Sequence, residues 1–192
     1  MLAHRDQYRR QAYQERHLSS VRKKKLLEQG SGIEIVVIDV TEHAIERPKR
    51  RQGRHFSGKK GKHTLKSQIV ANQQTGEIIC TALGMGKVHD FNLYKQSNTH
   101  ILSETEALTD KGYLGIKKLH AKSRHPKKKS KKHPLTKQEK MDNKEINRER
   151  IVVEHINRKI KIFKIMTERY RNRRRRFGLR INLICAIINY EL

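Results

Sequence analysis

The run Ile33-Glu34-Ile35-Val36-Val37-Ile38 closes on Asp39. It is nearly continuous and β-branched, and far too short to cross a bilayer, so it reads as a buried strand over 33–38. That reading puts Asp39 at the strand's carboxyl end, where open α/β sheets bind ligands. Apolar residues make up only 34% of the 192 residues, below the globular norm. They are gathered into such runs, which predicts a small core with long basic loops.

Other segments build on this strand. Residues 62–71 alternate in part and predict a second strand with one wet face. The turn Asn72-Gln73-Gln74-Thr75-Gly76 leads to a third at 77–83, a hairpin signal. Three successive strands predict a β-meander. Gly84-Met85-Gly86 breaks the pattern. A helix is predicted from Asp90, and a short strand Ala107-Leu108-Thr109 delivers Asp110 ahead of Gly112. One uninterrupted helix is predicted over 141–166, since neither Pro nor Gly falls within it, and a last one over 180–191. Residues 1–32 read as a polar basic segment with a short helix closed by Gly30-Ser31-Gly32, too poor in apolar residues to fold alone. Residues 33–192 read as the domain proper, with a polybasic insertion at 122–140.

There are 45 Lys and Arg against 19 Asp and Glu, a formal net charge of +26. Such a charge points to nucleic acid, because Lys and Arg gain affinity by displacing counterions from phosphates. No signal-peptide core precedes the first strand, so no membrane role is expected. Cys80 and Cys185 have no partners at zinc spacing; they read as small buried apolar residues, and lone thiols fit a reducing compartment. Within this cationic chain the carboxylates Asp39, Asp110 and Glu154 stand out. A protein that binds polyanions has little reason to keep acids near them unless the acids hold cations.

Glu154 lies on the predicted long helix. With each residue advancing about 100°, Val152, Ile156, Ile160, Phe163 and Met166 share one face, which should pack on the sheet. Asn147, Arg150, Glu154 and Lys161 fall within about 60° of one another on the opposite side. By spacing alone, Arg150 and Glu154 are an i,i+4 pair, and the line is equally a salt-bridged solvent face.

The motifs in order carry more. Ile38-Asp39-Val40-Thr41-Glu42, Ala44-Ile45-Glu46-Arg47-Pro48, Ser57 to Lys60, His63 to Lys66, His89-Asp90-Phe91 and Asp110-Lys111-Gly112-Tyr113 precede Arg150, Glu154 and Lys161. From about residue 33 to the end the chain resembles the catalytic domain of bacterial insertion-sequence DDE transposases, the DDE superfamily endonucleases. Arg150, Glu154 and Lys161 match that family's Tyr-x2-Arg-x3-Glu-x6-Lys signature, with Asn147 where the family has Tyr. The family's N-terminal helix-turn-helix region has no counterpart in the first thirty residues, so the chain reads as a shortened copy or as the second frame of a split element.

The resemblance implies an α/β, ribonuclease-H-like mixed sheet flanked by helices. It implies Asp39, Asp110 and Glu154 as catalytic and metal-binding acids, around two Mg²⁺ ions with Mn²⁺ as a substitute. Asp39 would bridge the ions, and Asp90 is the competing second acid, unless it only caps its helix. Lys59, Lys60, Lys127, Lys128, Lys129, Arg150, Lys161, Arg173 and Arg174 are the expected DNA contacts. His43, His63 and His89 are expected to be structural or phosphate contacts. The partner would be double-stranded DNA, both element ends and target, with a homo-oligomer as the active form, in the bacterial cytoplasm at the nucleoid. The competing reading is a non-catalytic basic nucleic-acid-binding protein, in which the three acids need not converge.

Overall fold

The computed structural model describes residues 21–130 and 134–192. Expectations for residues 1–20, and for Lys131 and Lys132, lie outside them. The first strand, β1 (Ile35–Ala44), is ten residues long. Asp39 therefore sits in its middle and not at its carboxyl end. Apolar patterning missed the second half because Asp39, Thr41 and His43 replace apolar residues on one face while the backbone goes on pairing.

After β2 (Phe56–Ser57), β3 (Lys62–Asn72) returns antiparallel to β1, with Asp39 opposite Ile69. The next strand, β4 (Ile78–Met85), completes the predicted hairpin. Its turn is closed by the Asn72 side chain, which accepts from the Gln74 N–H at 2.9 Å, and by Gly76 at φ 75°. The sequence Gly84-Met85-Gly86 does not end the strand where expected: β4 runs through Met85. Gly86 is needed because a Cβ there would lie 2.3 Å from Thr64 Oγ1 and 2.5 Å from the His55 carbonyl.

On the other edge of β1, the short strand β5 (Glu106–Leu108) runs parallel to it, and β6 (Ser123–Arg124) runs parallel to β5. The mixed sheet is thus ordered β4-β3-β1-β5-β6, with β2 sharing the outer edge of β3. The expected mixed sheet and meander are present.

Among the described residues, six helices accompany it: α1 (Gln52–His55), α2 (Asp90–Gln96), α3 (Lys137–Glu149), α4 (Ile151–Ile162), α5 (Lys164–Thr167) and α6 (Phe177–Tyr190). The single helix expected over 141–166 is three. The first opens earlier than expected, on a capping box between Thr136 and Glu139, and ends at Arg150. The second ends at Phe163, whose extended backbone (ψ 109°) turns the chain back to the sheet. There Tyr170 bridges to Ile45. Neither break needs Pro or Gly, so neither is visible in composition.

The polybasic stretch is not a simple insertion. Its start is strand β6, where Arg124 pairs with both Glu106 and Glu149, and its end is the first turn of α3. The end of the N-terminal segment is a 3₁₀ turn, Lys23–Leu27, that buries Leu26.

Alternation along the strands splits the core in two. Val37, Leu65 and Ile69 pack under Val153, Ile156 and Ile160 of α4 and Ile181, Ile184 and Ile188 of α6. On the other face Val36, Ile38, Val70 and Ile79 pack with Leu26, Tyr94, Tyr113 and Ile116. Both cysteines are buried and free, and burial pushes each thiol up to about 12, so they act as apolar filling. Among the described residues no helix is long and apolar enough to cross a membrane.

Candidate active site

Period-two alternation puts Asp39 on the same sheet face as Val37, beneath α4. The parallel pairing of Val37 with Leu108 carries Asp110 to the same level on the neighbouring strand, just past the end of β5. Asp110 forms a tight turn there: its Oδ1 accepts from the Gly112 N–H at 2.8 Å, and a Cβ at residue 112 would lie 3.0 Å from that oxygen. The sheet therefore brings two of the three expected acids side by side.

Their proximity shows in the charge balance. The Asp39 carboxyl is pushed up to about 6, first by burial and further by the negative charges of Asp110 and Asp90, against the opposing pull of Arg150. Two groups hold this carboxylate. Asn157 donates from Nδ2 to Oδ2 at 2.9 Å, and an Arg150 guanidinium nitrogen lies 3.6 Å from Oδ1. Among the described residues, Asn157 Oδ1 and Arg150 Nε on these two groups are buried without hydrogen-bond partners, as is Tyr113 Oη, which feels the charges of Asp39 and Asp110 from the core on the other sheet face. Tyr113 is fully buried, and burial together with Asp39, Asp90 and Asp110 holds its phenol protonated, well above the usual range. Buried polar atoms normally find partners. Orphaned polar atoms on both groups that hold Asp39, with the charge of Asp110 within reach, describe a site built to receive something polar.

Arg150 corrects the helix reading. Expected on the solvent flank, its side chain is only 12% exposed and turns to Asp39, not to Glu154. The buried face of α4 consists of Val153, Ile156, Asn157 and Ile160. It is turned by about 60° from the predicted face, and that turn carries the residues at 150 and 157 to the edge of the sheet. Sequence reasoning missed Asn157, although the signal was there: seven residues beyond Arg150, it falls about 20° from it in projection.

Glu154 is exposed, one turn before Asn157 on the same flank. With Arg150 turned to Asp39, the Glu154 side chain has no hydrogen bond or ion pair among the described residues. Nor, among those residues, do three His, Cys, Asp or Glu side chains stand together in a group that could hold a metal ion. The structure brings Asp39 and Asp110 together and leaves Glu154 exposed on the flank of α4, outside the charges that act on Asp39.

Asp90, the competing second acid, is the first residue of α2 and not its N-cap, which is His89. Its carboxylate accepts from Lys66 Nζ at 2.8 Å; that nearly buried ammonium lies 3.7 Å from Glu42. Asp90 is thus already neutralised, while its charge still reaches Asp39. His43 is structural, as expected: its ring nitrogens meet the Met166 carbonyl at 2.9 Å and Ser67 Oγ at 2.7 Å, and burial lowers its basicity.

The expected DNA contacts are on the surface, apart from Arg150. Lys59, Lys60, Lys128, Lys129, Lys161, Arg173 and Arg174 are exposed. Lys127 is exposed too, but donates to Glu139 at 2.5 Å. The groups that converge on Asp39 offer hard carboxylate and amide oxygens. That chemistry suits a divalent cation taken up with substrate oxygens and does not suit a soft metal.

The family model of the DDE superfamily endonucleases matches residues 38–189, from the residue before Asp39 to within the last helix. A probable transposase for insertion sequence element IS702 from Microchaete diplosiphon is 54% identical over 170 residues, 88% of this chain and 62% of that protein. The chain thus spans about three-fifths of that relative's length. No solved structure matches it.

Proposed function

The chain belongs to the DDE superfamily endonucleases, and from that premise we propose that it is the catalytic domain of an insertion-sequence transposase. It would cut phosphodiester bonds at element ends in double-stranded DNA and join them to a target. The single observation that carries this reading is that Asp39 on β1 and Asp110, just past the end of its parallel neighbour β5, come to one level where each charge is felt, with unpartnered polar atoms on the groups that hold Asp39. The strand order, an antiparallel meander continued by two strands parallel to β1, supports a ribonuclease-H-like fold.

DDE-type endonucleases are divalent-metal dependent, and the donors here fit such ions. We take the ions to be two Mg²⁺, with Mn²⁺ as a substitute, held by Asp39, Asp110 and Glu154. When bound they would polarise the scissile phosphate and lower the pKa of an attacking hydroxyl.

The chain's own residues prepare that site. Asn157 fixes one Asp39 oxygen and thereby the direction of the other. Arg150 favours the ionised form of a carboxylate that burial would keep protonated. Lys66 neutralises Asp90, which limits the negative charge facing Asp39. Glu154, unpaired on the flank of α4, is available to a ligand without first breaking an ion pair. Lys161, two turns further along that flank, is exposed for a DNA phosphate. The working form would be a homo-oligomer in the bacterial cytoplasm, and residues 33–192 would be its catalytic unit.

The test is Mg²⁺-dependent nicking of DNA carrying the element's ends by the chain and by Asp39→Asn. Nicking should vanish while salt-sensitive DNA binding persists. Equal loss of both would remove the metal role.

A further inference from the structure

Away from the acids, the structure has a groove whose lining, apart from the expected DNA contact Arg174, has no part in the proposed chemistry. Its floor is apolar: Leu65, Leu83, Met85 and Val88. Its rim carries Arg54, Lys87, Arg174 and Arg175, and among the described residues no carboxylate lines it. Register places the floor on the same sheet face as Asp39, since Leu65 pairs with Met85, Ser67 with Leu83, and Ile69 with Asp39. From the Asp39–Ile69 row to the Leu65–Met85 row is four residues, about 13 Å along the strands at the usual rise.

The rim is built, not incidental. The close backbone approach at Gly86, which no side chain would permit, brings the end of β4 against α1. The Lys87 N–H donates to the Arg54 carbonyl at 3.2 Å and ties the backbones that carry these two cations together. The 3₁₀ turn Arg174–Arg176 closes the opposite wall ahead of α6. Arg54, Lys87, Arg174 and Arg175 form no ion pair among the described residues, although the chain offers carboxylates elsewhere. Leu83 and Met85 remain 43% and 38% exposed on the floor, and the buried His55 Nδ1 at the wall has no partner.

Cations around an apolar floor ask for a ligand with two surfaces, one anionic and one apolar. A DNA duplex shows phosphates on its outside and hides its base faces in the stack. An unpaired strand shows both, and base faces lie against apolar side chains once unstacked. We propose that this groove binds an unpaired DNA strand, with phosphates on Arg54, Lys87, Arg174 and Arg175 and a base against Leu83 and Met85. The proposal rests on the reading of DNA as substrate. It adds that the protein holds a segment of that substrate unpaired at a distance from the acids.

The experiment is fluorescence anisotropy of the full chain with a blunt duplex and with the same duplex bearing a short single-stranded overhang, across a salt series. The variants are Leu83→Ser/Met85→Ser and Arg54→Ala/Arg175→Ala, with folding checked by circular dichroism. The chain should prefer the overhang. Leu83→Ser/Met85→Ser should cut that preference by about fivefold, the lower end for one stacked base, and leave blunt-duplex affinity unchanged. Arg54→Ala/Arg175→Ala should reduce the salt slope on the overhang substrate by about 0.7 for each phosphate no longer neutralised. If both variants keep the preference and the slope, the groove proposal falls while the DNA reading stands. If the unaltered chain binds neither DNA, the DNA reading falls with it. Groove-dependent binding of polyglutamate without an overhang preference would assign the groove to an acidic protein and overturn the proposal.

Discussion

Asp39 and His43 lie four residues apart on one strand and point to the same face, yet their surroundings differ. His43 is satisfied: both ring nitrogens are engaged, and its ring packs 5.2 Å from that of Phe177. Asp39 is held by Asn157 and Arg150 but lies among polar atoms that have no partner and beside a second carboxylate. A closed polar network fixes the fold, here by tying β1 to β3 and α5. An open one is left incomplete for a ligand and costs stability while it waits. Polarity inside a sheet therefore does not mark function; unfinished polarity does.

The two positions should fail in different ways when altered. The largest effect expected is on chemistry: Asp39→Asn should reduce metal-dependent nicking below detection, measured on supercoiled DNA, while the thermal midpoint holds or rises. A midpoint that fell sharply would make Asp39 a structural residue like its neighbour. His43→Ala should do the reverse. It strands Ser67 and the Met166 carbonyl and opens a cavity against Phe177, at about 3 kcal/mol in urea unfolding; a loss under about 1 kcal/mol would mean the closed network is not holding the elements together.

The pH dependence separates the two sites more finely. The folded Asp39 carboxyl titrates near 6, above its ordinary 3.8, so the folded chain holds that proton more tightly than the unfolded one. The resulting stabilisation is complete below about pH 4 and is lost as pH rises through about 6, on the order of 3 kcal/mol without metal. Asp39→Asn should flatten that part of the stability profile, and an unchanged profile would contradict an open site. Next in size, Asn157→Ala should weaken divalent-metal binding by about 10- to 100-fold, as for groups that orient a ligand. Unchanged affinity would reduce Asn157 to packing. Last, Lys127→Ala/Lys128→Ala/Lys129→Ala should leave nicking chemistry intact and lower the salt slope of duplex binding by about 0.9 for each phosphate that these residues neutralise. An unchanged slope would make the stretch a mere connection.

Much of this was legible in the sequence, in the places where periodicity carries the information. The run before Asp39 and the hairpin around Gly76 were visible as the first strands of the sheet, and the ordered motifs from Asp39 to Lys161 carried the resemblance that implied a mixed sheet and named the acids. What escaped was set by tertiary contact. The second half of β1 was hidden because Asp39, Thr41 and His43 interrupt an apolar run that backbone pairing ignores. The breaks at Arg150 and Phe163 arise where the chain turns toward Asp39 and toward the sheet, with no helix breaker to announce them. Local spacing offered Arg150 the Glu154 carboxylate and the family resemblance offered it DNA, but the buried carboxylate of Asp39 takes it. Asn157 was passed over because its helical alignment with Arg150 means little until the carboxylate that both hold is in place.

If Asp39 and its neighbours form a divalent-metal site in a nuclease, the chain should take up Mn²⁺ at those residues. Titrating Mn²⁺ into the chain and reading free ion by electron paramagnetic resonance, with Asp39→Asn and Asp110→Asn in parallel, puts this to the test. Binding should be saturable, should strengthen as pH rises through about 6, where Asp39 gives up its proton, and should be lost in both variants. Equal binding by the unaltered chain and both variants would contradict a metal site at Asp39.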